Sequence, residues 1–276
     1  MTRKTLSLLA LICASAFALP GTASACATSA WTTVVGAVTA GSPPAVSRYS
    51  GKCAALSTAT GNYVQDDSPG TEKNYFAQFY VFTGLSAGGA TVFRARNANA
   101  LPSTAIQVDY NRGDGTNGNF TFTSNGTTAV NGVKASKWYM IRMSWTANAP
   151  NTMAIVVQGA NSSIPLTNNT SVTTNGDSVE SAELGWLNGT GSVATGTANP
   201  GIATDAFVSQ RATAPTRLTR GDATGSNGVG FADASAIVNE FLNGVLANGQ
   251  PDCNEDGAVG FADASCAVNI FLNGGN

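Results

Sequence analysis

The chain has 276 residues, of which 43% are hydrophobic and only 11% charged, and its formal net charge is −2. It contains no histidine, which excludes Ser-His-Asp and Cys-His catalysis and histidine-ligated zinc. No run of Lys or Arg favours nucleic acid or an anionic membrane surface as a partner. The length allows one large domain plus a small one, and the low charge with 31 glycines is typical of an extracellular β-protein.

The N-terminal residues follow the pattern of a secretory signal peptide. A basic pair, Arg3-Lys4, precedes an apolar stretch over residues 6–19, and Ala23-Ser24-Ala25 fits a cleavage site. The apolar stretch is too short for a membrane-spanning helix. The sequence therefore predicts a signal peptide over residues 1–25 and a secreted protein. A lipid anchor on the new first residue, Cys26, is the alternative.

Four cysteines remain after that cleavage, and an even number suggests disulfides in an oxidising compartment. Closeness in the sequence favours the pairs Cys26–Cys53 and Cys253–Cys266. Four cysteines allow three pairings, so the other two pairings stay open.

Residues 26–214 show short apolar stretches between turns rich in Gly, Asn, Pro and Asp, without a sustained helical period. In residues 137–145, for example, Tyr139, Ile141 and Met143 fall on one face of a strand. Strands of this kind at about ten-residue spacing predict a mainly β fold, an antiparallel β-sandwich. The predicted strands are 74–82, 91–96, 106–110, 120–122, 137–145, 154–158 and 206–210.

The segment Trp138-Tyr139-x-Ile141-x-x-x-Trp145, followed by the strand at 205–209, resembles the concanavalin A-like and laminin-G-like jelly roll. The resemblance covers most of residues 26–214. It implies a jelly-roll sandwich in a glycan-binding or polysaccharide-processing context.

Residues 215–221 are linker-like, and the next 55 residues contain a tandem repeat. Two twelve-residue loops, residues 222–233 and 252–263, carry oxygen side chains at positions 1, 3, 5 and 12. That spacing is the one in which a loop wraps a hard cation such as Ca²⁺, with position 7 offering its backbone carbonyl. Each loop leads into a predicted helix that begins at Phe231 or Phe261 and ends at an Asn-Gly pair.

The repeat resembles a dockerin module, a pair of calcium loop-helix units without the entering helices of an EF-hand. The resemblance implies two calcium sites, and Asp at position 12 fits it. The ligands of the first site are Asp222, Thr224, Ser226, the carbonyl of Gly228, and Asp233; those of the second are Asp252, Asn254, Asp256, the carbonyl of Ala258, and Asp263.

The two sites are predicted to differ in strength. The first has two carboxylates and the second has three, and the number of charged ligands raises calcium affinity. We therefore expect the second site to bind Ca²⁺ more tightly.

The dockerin resemblance also implies a cohesin-like partner, which contacts loop positions 10 and 11. These positions are Phe231, Ala232, Phe261 and Ala262. A Phe that begins an amphipathic helix is more often part of the core, and core packing is the preferred interpretation. The dockerin-like domain, residues 222–276, therefore has two expected roles, stabilisation and docking.

The sandwich offers no recognisable catalytic motif, since its carboxylates do not form the Glu-x-Asp run of jelly-roll glycosidases. The candidate ligand-binding residues are Trp186, Tyr110, Arg112 and Asp114, an arrangement of aromatic and polar groups that suits a sugar. The sequence thus predicts a secreted glycan-binding protein with a calcium-binding tail. The alternatives are a glycoside hydrolase that uses carboxylates such as Asp109 and Glu183, and a structural or adhesion protein.

Overall fold

A computed structural model describes residues 28–41, 46, 48–97, 104–147, 152–159, 170–174, 176–196, 199–255 and 258–274. In chain order its strands are β1 (Thr33–Val35), β2 (Val38–Gly41), β3 (Ala54–Ser57), β4 (Asn62–Asp66), β5 (Asn74–Ala87), β6 (Gly89–Arg96), β7 (Thr104–Asn111), β8 (Gly118–Thr123), β9 (Thr127–Val133), β10 (Trp138–Thr146), β11 (Thr152–Gly159), β12 (Thr170–Thr173), β13 (Ser181–Asn188), β14 (Ser192–Val193) and β15 (Gly201–Gln210). The helices are α1 (Phe231–Asn243) and α2 (Phe261–Asn273).

The strands form two antiparallel sheets, which confirms the predicted sandwich. One sheet has the order β1-β4-β13-β6-β7-β8-β9. The other has the order β12-β11-β10-β5-β15-β3-β2, with β14 paired to β5. All seven predicted strands are present. In the pairing of β10 with β5, Trp138 lies opposite Phe82 and Trp145 lies opposite Tyr75.

The main core lies between the two sheets. It is built from the alternate apolar side chains of each strand, such as Phe79 of β5, Phe93 of β6, Phe120 of β8 and Ile141 of β10. Phe79 and Phe93 stack across the sheets at 5.3 Å between ring centroids. Burial of these aromatic rings supplies the principal stabilising free energy of the sandwich.

A second core covers the outer face of the eight-stranded sheet. Tyr49 lies over this face and stacks on Tyr80 at 3.8 Å between ring centroids. Leu218, in the segment after β15, packs on the same cluster, and its N–H donates to the Tyr80 hydroxyl at 2.9 Å. Residues 215–221, predicted as a linker, are thus held against the sandwich.

Polar contacts join the helical tail to the sandwich. Arg48 donates to the Glu240 carboxylate of α1 at 2.7 Å, and both side chains are nearly inaccessible to solvent. Close by, the N–H of Gly51 donates to the carbonyl of Gly249 at 2.9 Å. The tail and the sandwich therefore share a buried interface.

The two helices have the predicted bounds and stops. Gly244 and Gly274 adopt left-handed conformations with φ of 69° and 64° and close the helix ends. No helix of the described part of the chain is long and apolar enough to cross a membrane. Cys253 and Cys266 form the predicted disulfide. Cys53 is also disulfide-bonded, whereas Cys26 lies outside the described residues.

Candidate calcium loops and glycan-binding face

Loop 1, residues 222–233, folds around the carboxylate of its first residue. Asp222 is buried and accepts hydrogen bonds from the N–H groups of Ser226 at 2.8 Å and Asn227 at 2.7 Å. Asn227, at position 6, has φ of 67°, a left-handed conformation that Gly usually supplies at this position and that Asn tolerates. The loop therefore closes as the calcium-loop pattern requires.

The five predicted ligand residues of loop 1 converge. The Thr224 hydroxyl lies 2.7 Å from Asp233 Oδ1 and 3.5 Å from Asp222 Oδ1. The Ser226 hydroxyl lies 3.4 Å from Asp222 Oδ1 and 3.2 Å from the Gly228 carbonyl oxygen. These contacts are hydrogen bonds among the loop's own groups. They bring the oxygens of the five predicted ligand residues close together.

Loop 2, residues 252–263, repeats the key contacts at its end. Asp263 accepts from the N–H of Asn254 at 3.0 Å and of Gly260 at 2.8 Å. In loop 1, Asp233 accepts from the N–H groups of the equivalent positions 3 and 9. Asp252 and Asp263 are both buried, while the predicted ligand Asp256 lies outside the described residues.

Among the residues that the structure describes, no group of three or more His, Cys, Asp or Glu side chains is placed to hold a metal ion. Loop 1 contributes two carboxylates, and its other candidate ligands are hydroxyl and carbonyl oxygens. Such an all-oxygen set fits Ca²⁺, which accepts neutral oxygens beside a few carboxylates.

The residues predicted to dock a partner lie on the surface of the helix pair. Phe231 and Phe261 are 61% and 58% exposed, and Ala232 and Ala262 are exposed too. The preference for Phe231 and Phe261 as core residues was therefore wrong. In α1, Asp233 faces its loop and Glu240 faces the sandwich. The helix is therefore oriented with its aromatic residues towards solvent.

The exposed aromatic rings form two equivalent pairs. Phe231 contacts Phe271 at 4.8 Å and Phe241 contacts Phe261 at 5.0 Å between centroids. The buried contact between the helices is made instead by small side chains, including Ala234, Ala264, Ala267 and Ile237. We call the exposed set Phe231, Phe241, Leu242, Val245, Phe261, Phe271 and Leu272 the apolar helix face.

The aromatic candidates for glycan binding in the sandwich are core residues. Trp186 and Tyr110 are 2% and 1% exposed and belong to the cluster between the sheets, so neither can stack on a ligand. Asp114 is exposed, and hydrogen bonds from Asn117 and Thr116 lower its pKa to about 2, so it holds a turn. Arg112 is half-buried beside Gly115 of the same turn. The structure does not bring these four residues into one site.

A different set of polar residues lies on the outer face of the seven-stranded sheet. One row crosses five strands, because Gln65 pairs with Glu183, Glu183 with Arg94, Arg94 with Gln107, and Gln107 with Thr123. Residues paired across strands project to the same side of a sheet. We call the half-buried members of this face the polar face: Tyr63, Gln65, Arg94, Arg96, Gln107, Asp109, Thr121 and Thr123.

Buried and half-buried charges hold the polar face in place. Glu183 is fully buried and forms ion pairs with Arg96 at 2.5 Å and Arg94 at 3.1 Å. Asp109 accepts from Thr91 at 2.6 Å and from Gln107 at 2.8 and 3.0 Å. The guanidinium groups are fixed by carboxylates beneath them and are partly open to solvent.

The possible carboxylate pair of the hydrolase alternative, Asp109 and Glu183, is held by other side chains. Asp109 accepts hydrogen bonds from Thr91 and Gln107. Glu183 is also inaccessible and paired with two arginines.

The polar face has a signal in the sequence, although none of its polar residues was a candidate ligand-binding residue. In β6 and β7 the buried Phe93, Ile106 and Val108 alternate with Arg94, Gln107 and Asp109. The apolar half of this pattern predicts the strands, and the polar half marks the open face of the sheet. Pairing across strands, which sequence alone does not show, brings the polar halves together.

The molecule is thus an antiparallel β-sandwich that carries a helix pair with two oxygen-lined loops. No protein-family model and no curated protein matches the chain. Solved structures similar to it include an endo-β-1,4-glucuronan lyase from the fungus Trichoderma reesei, with TM-score 0.41 and 14% identity over 65% of this chain and 90% of that one. An alginate lyase from Alteromonas sp. 272 has TM-score 0.37 and 9% identity over 57% and 83%.

Domain 4 of AbnA, an extracellular arabinanase from Geobacillus stearothermophilus in complex with arabinotriose, has TM-score 0.36 and 15% identity over 63% of this chain and 75% of that one. All three TM-scores lie below 0.5.

Proposed function

We propose that the protein is a secreted glycan-binding protein whose ligand lies across the polar face, and whose tail is folded by Ca²⁺. The observation that carries the proposal is the set of half-buried polar side chains on β4, β6, β7 and β8, which the buried Glu183 of β13 anchors from beneath. Amide, guanidinium and hydroxyl groups placed in this way supply the hydrogen bonds that read sugar hydroxyls. The Tyr63 ring, on the same face opposite Gly185, offers a surface on which a sugar ring stacks.

The charges of the polar face balance one another. Arg94 and Arg96 oppose Glu183 and Asp109, and each carboxylate is already paired or hydrogen-bonded. Recognition therefore depends on hydrogen bonds and ring contact rather than on net charge. We expect binding to weaken only slightly between low and high salt.

The test is retention on insoluble polysaccharides, followed by calorimetry with soluble oligosaccharides from the ligand that retains the protein. Tyr63→Ala and Gln107→Ala should each weaken binding about tenfold or more, as expected for loss of a ring contact or of a hydrogen-bonding group. Gln158→Ala is the matched control, because Gln158 is half-buried on the outer face of the other sheet. Equal loss of binding in the control would contradict a site on the polar face.

The same assay separates the alternatives. Retention without release of reducing sugar supports glycan binding, whereas release of reducing sugar supports a hydrolase. If the protein is not retained and releases no reducing sugar, but the sandwich captures a protein ligand, the result supports a structural or adhesion protein.

The apolar helix face favours a second role for the tail, docking of a partner. It presents four exposed phenylalanines and no charged side chain, since Asp233, Asp263 and Glu240 are all buried. Aromatic residues without charge are typical of the centre of a protein interface. Because the tail resembles a dockerin, a cohesin-like protein is the partner to test.

The docking test is a titration with a cohesin domain, with self-association measured by sedimentation. Phe231→Ser with Phe261→Ser should abolish partner binding. Ser235→Ala with Ser265→Ala changes the same helices without removing an aromatic ring and is the control. A dimer that disperses in the Phe variant would instead identify a second copy as the occupant.

A further inference from the structure

The two loop-helix repeats of the tail have similar sequences. At two of the positions where they differ, one repeat carries a glutamate that faces the sandwich. In the helices, Glu240 of α1 corresponds to Ile270 of α2, and Glu240 is the residue that pairs with Arg48. In the loops, position 4 is Gly225 in loop 1 but Glu255 in loop 2. This second difference lies between two predicted calcium ligands, Asn254 and Asp256.

Glu255 adopts a backbone conformation that suits glycine. Its φ is 57°, and that of Gly225 at the same position of loop 1 is 76°. A residue with a Cβ enters this region at a cost, and it remains there when surrounding contacts hold it. At position 4, loop 2 therefore carries a residue with backbone strain where loop 1 carries a glycine without it.

The backbone N–H of Glu255 donates to the Asp252 carbonyl within the loop, whereas its side-chain contacts come from outside the loop. The Tyr49 hydroxyl donates to Glu255 Oε1 at 2.5 Å, and Arg217 forms an ion pair with the same oxygen. Tyr49 precedes β3 and stacks on Tyr80 of the sandwich, and Arg217 lies in the segment between β15 and loop 1. Burial raises the pKa of Tyr49 well above its ordinary value, so its hydroxyl keeps the proton that it donates.

We propose that Tyr49 and Arg217 are positioning residues for the second calcium loop, so that calcium binding in the tail stabilises the sandwich as well. This inference rests on the proposed calcium binding. By holding the strained Glu255, the two residues set the backbone next to Asn254, a predicted ligand of this loop. In return, a loop ordered by Ca²⁺ keeps Glu255 in place over the Tyr49–Tyr80 pair. The coupling is reciprocal, as thermodynamic linkage requires.

The sequence provides a clean way to observe this coupling. The chain has four tryptophans, Trp31, Trp138, Trp145 and Trp186, and residues 222–276 contain no Trp or Tyr. Tryptophan fluorescence therefore reports unfolding of the sandwich alone. Calcium affinity is measured separately by calorimetry on the full chain after chelation with EGTA.

In the native protein, Ca²⁺ should raise the temperature at which tryptophan fluorescence reports unfolding. Tyr49→Phe keeps the stacked ring and removes the hydroxyl, and should lower the affinity of one calcium site about three- to tenfold. It should also reduce the calcium-induced rise in unfolding temperature by at least half. Tyr139→Phe is the matched control, because Tyr139 also has a buried, hydrogen-bonded hydroxyl, bonded to Lys134 far from the tail.

Glu255→Gly is a second variant, and it changes no residue of the sandwich. It restores the residue type of loop 1 and relieves the backbone strain, while it removes the bridge to Tyr49 and Arg217. Ca²⁺ should still bind, but the rise in the unfolding temperature of the sandwich should fall by at least half, and the Arg48–Glu240 pair carries the remainder.

The outcomes separate this inference from the calcium proposal. If the native protein releases no heat with Ca²⁺ and its helix signal is unchanged, calcium binding and this inference both fail. If Ca²⁺ binds but the tryptophan-detected unfolding temperature does not move, only this inference is overturned. Equal calcium affinities for the native protein and Tyr49→Phe would overturn it as well.

Discussion

Asp205 is a buried carboxyl group at a bulge in β15, where the pairing with β5 shifts. It accepts hydrogen bonds from the backbone N–H groups of Tyr49, Ser50 and Ala206. Ala206 has φ of 46°, a conformation that a non-glycine residue keeps only when its surroundings fix it. Burial raises the pKa of Asp205 from 3.8 to about 7, although those hydrogen bonds and Arg48 act in the opposite direction.

This raised pKa predicts a pH-dependent stability. Between pH 4 and pH 7 the folded state holds a proton that the unfolded state has lost, so the free energy of unfolding falls as the pH rises. The fall should amount to a few kcal/mol, since one pKa unit corresponds to about 1.4 kcal/mol. Urea unfolding followed by tryptophan fluorescence from pH 4 to pH 8 measures it.

Asp205→Asn is the comparison, because Asn cannot titrate. The variant should be less stable below pH 4, where its amide NH₂ meets backbone N–H donors, but its stability should vary less with pH. Parallel pH profiles for the two proteins would show that the dependence arises elsewhere.

Single residues also show what the sequence leaves open. Trp186 and Tyr110 were candidates for ligand binding because they are aromatic, and both lie in the core. Phe231 and Phe261 were preferred as core residues because they are apolar, and both are exposed. Residue type gives the chemistry of a side chain, but strand pairing and helix rotation decide which side of the element it occupies.

At the scale of elements, long periodic segments were predictable and short ones were not. The alternation in β5 and β10 identified both strands, and the Asn-Gly stops gave the ends of α1 and α2. The edge strands β1, β2 and β12 have three or four residues each, too few to show a period. The helices after the two loops were predictable because the same apolar spacing follows each loop, and the bounds of α1 and α2 agree with it.

The loops lead to a prediction about calcium. Asp252→Ala should remove the tighter of two calorimetric binding events, since loop 2 has the greater number of carboxylates, and Asp222→Ala should remove the weaker one. Asp114→Ala, which deletes an exposed carboxylate in the sandwich, should leave both events unchanged. Two sites of equal affinity in the native protein would contradict the predicted order.

At the scale of the whole molecule, the sandwich and the tail should unfold together. Arg48 is fully buried and its partner Glu240 nearly so. Removing one member of a buried ion pair leaves the other charge without compensation, which costs about 3–5 kcal/mol. Arg48→Met should therefore destabilise both parts of the protein, as detected by tryptophan fluorescence and by the helix signal in circular dichroism.

The double variant Arg48→Met/Glu240→Gln should recover most of that loss. It removes the unpaired charge, and Gln retains an oxygen to accept the N–H of Ala247, which Glu240 accepts at 2.8 Å. The double variant regains stability only if the loss in Arg48→Met comes from the unpaired carboxylate of Glu240. If the double variant is as unstable as Arg48→Met, the packing of the arginine rather than its charge holds the interface.

The buried Arg48–Glu240 pair also bears on how such a protein can change in evolution. A tail on a flexible linker can be exchanged between genes by recombination, because each part folds without the other. Here the exchange would strand a charge in the sandwich and uncover the aromatic rings of Tyr49 and Tyr80. The unit of inheritance is therefore the sandwich together with its tail, and substitutions at Arg48 and Glu240 should occur in pairs among descendants of this chain.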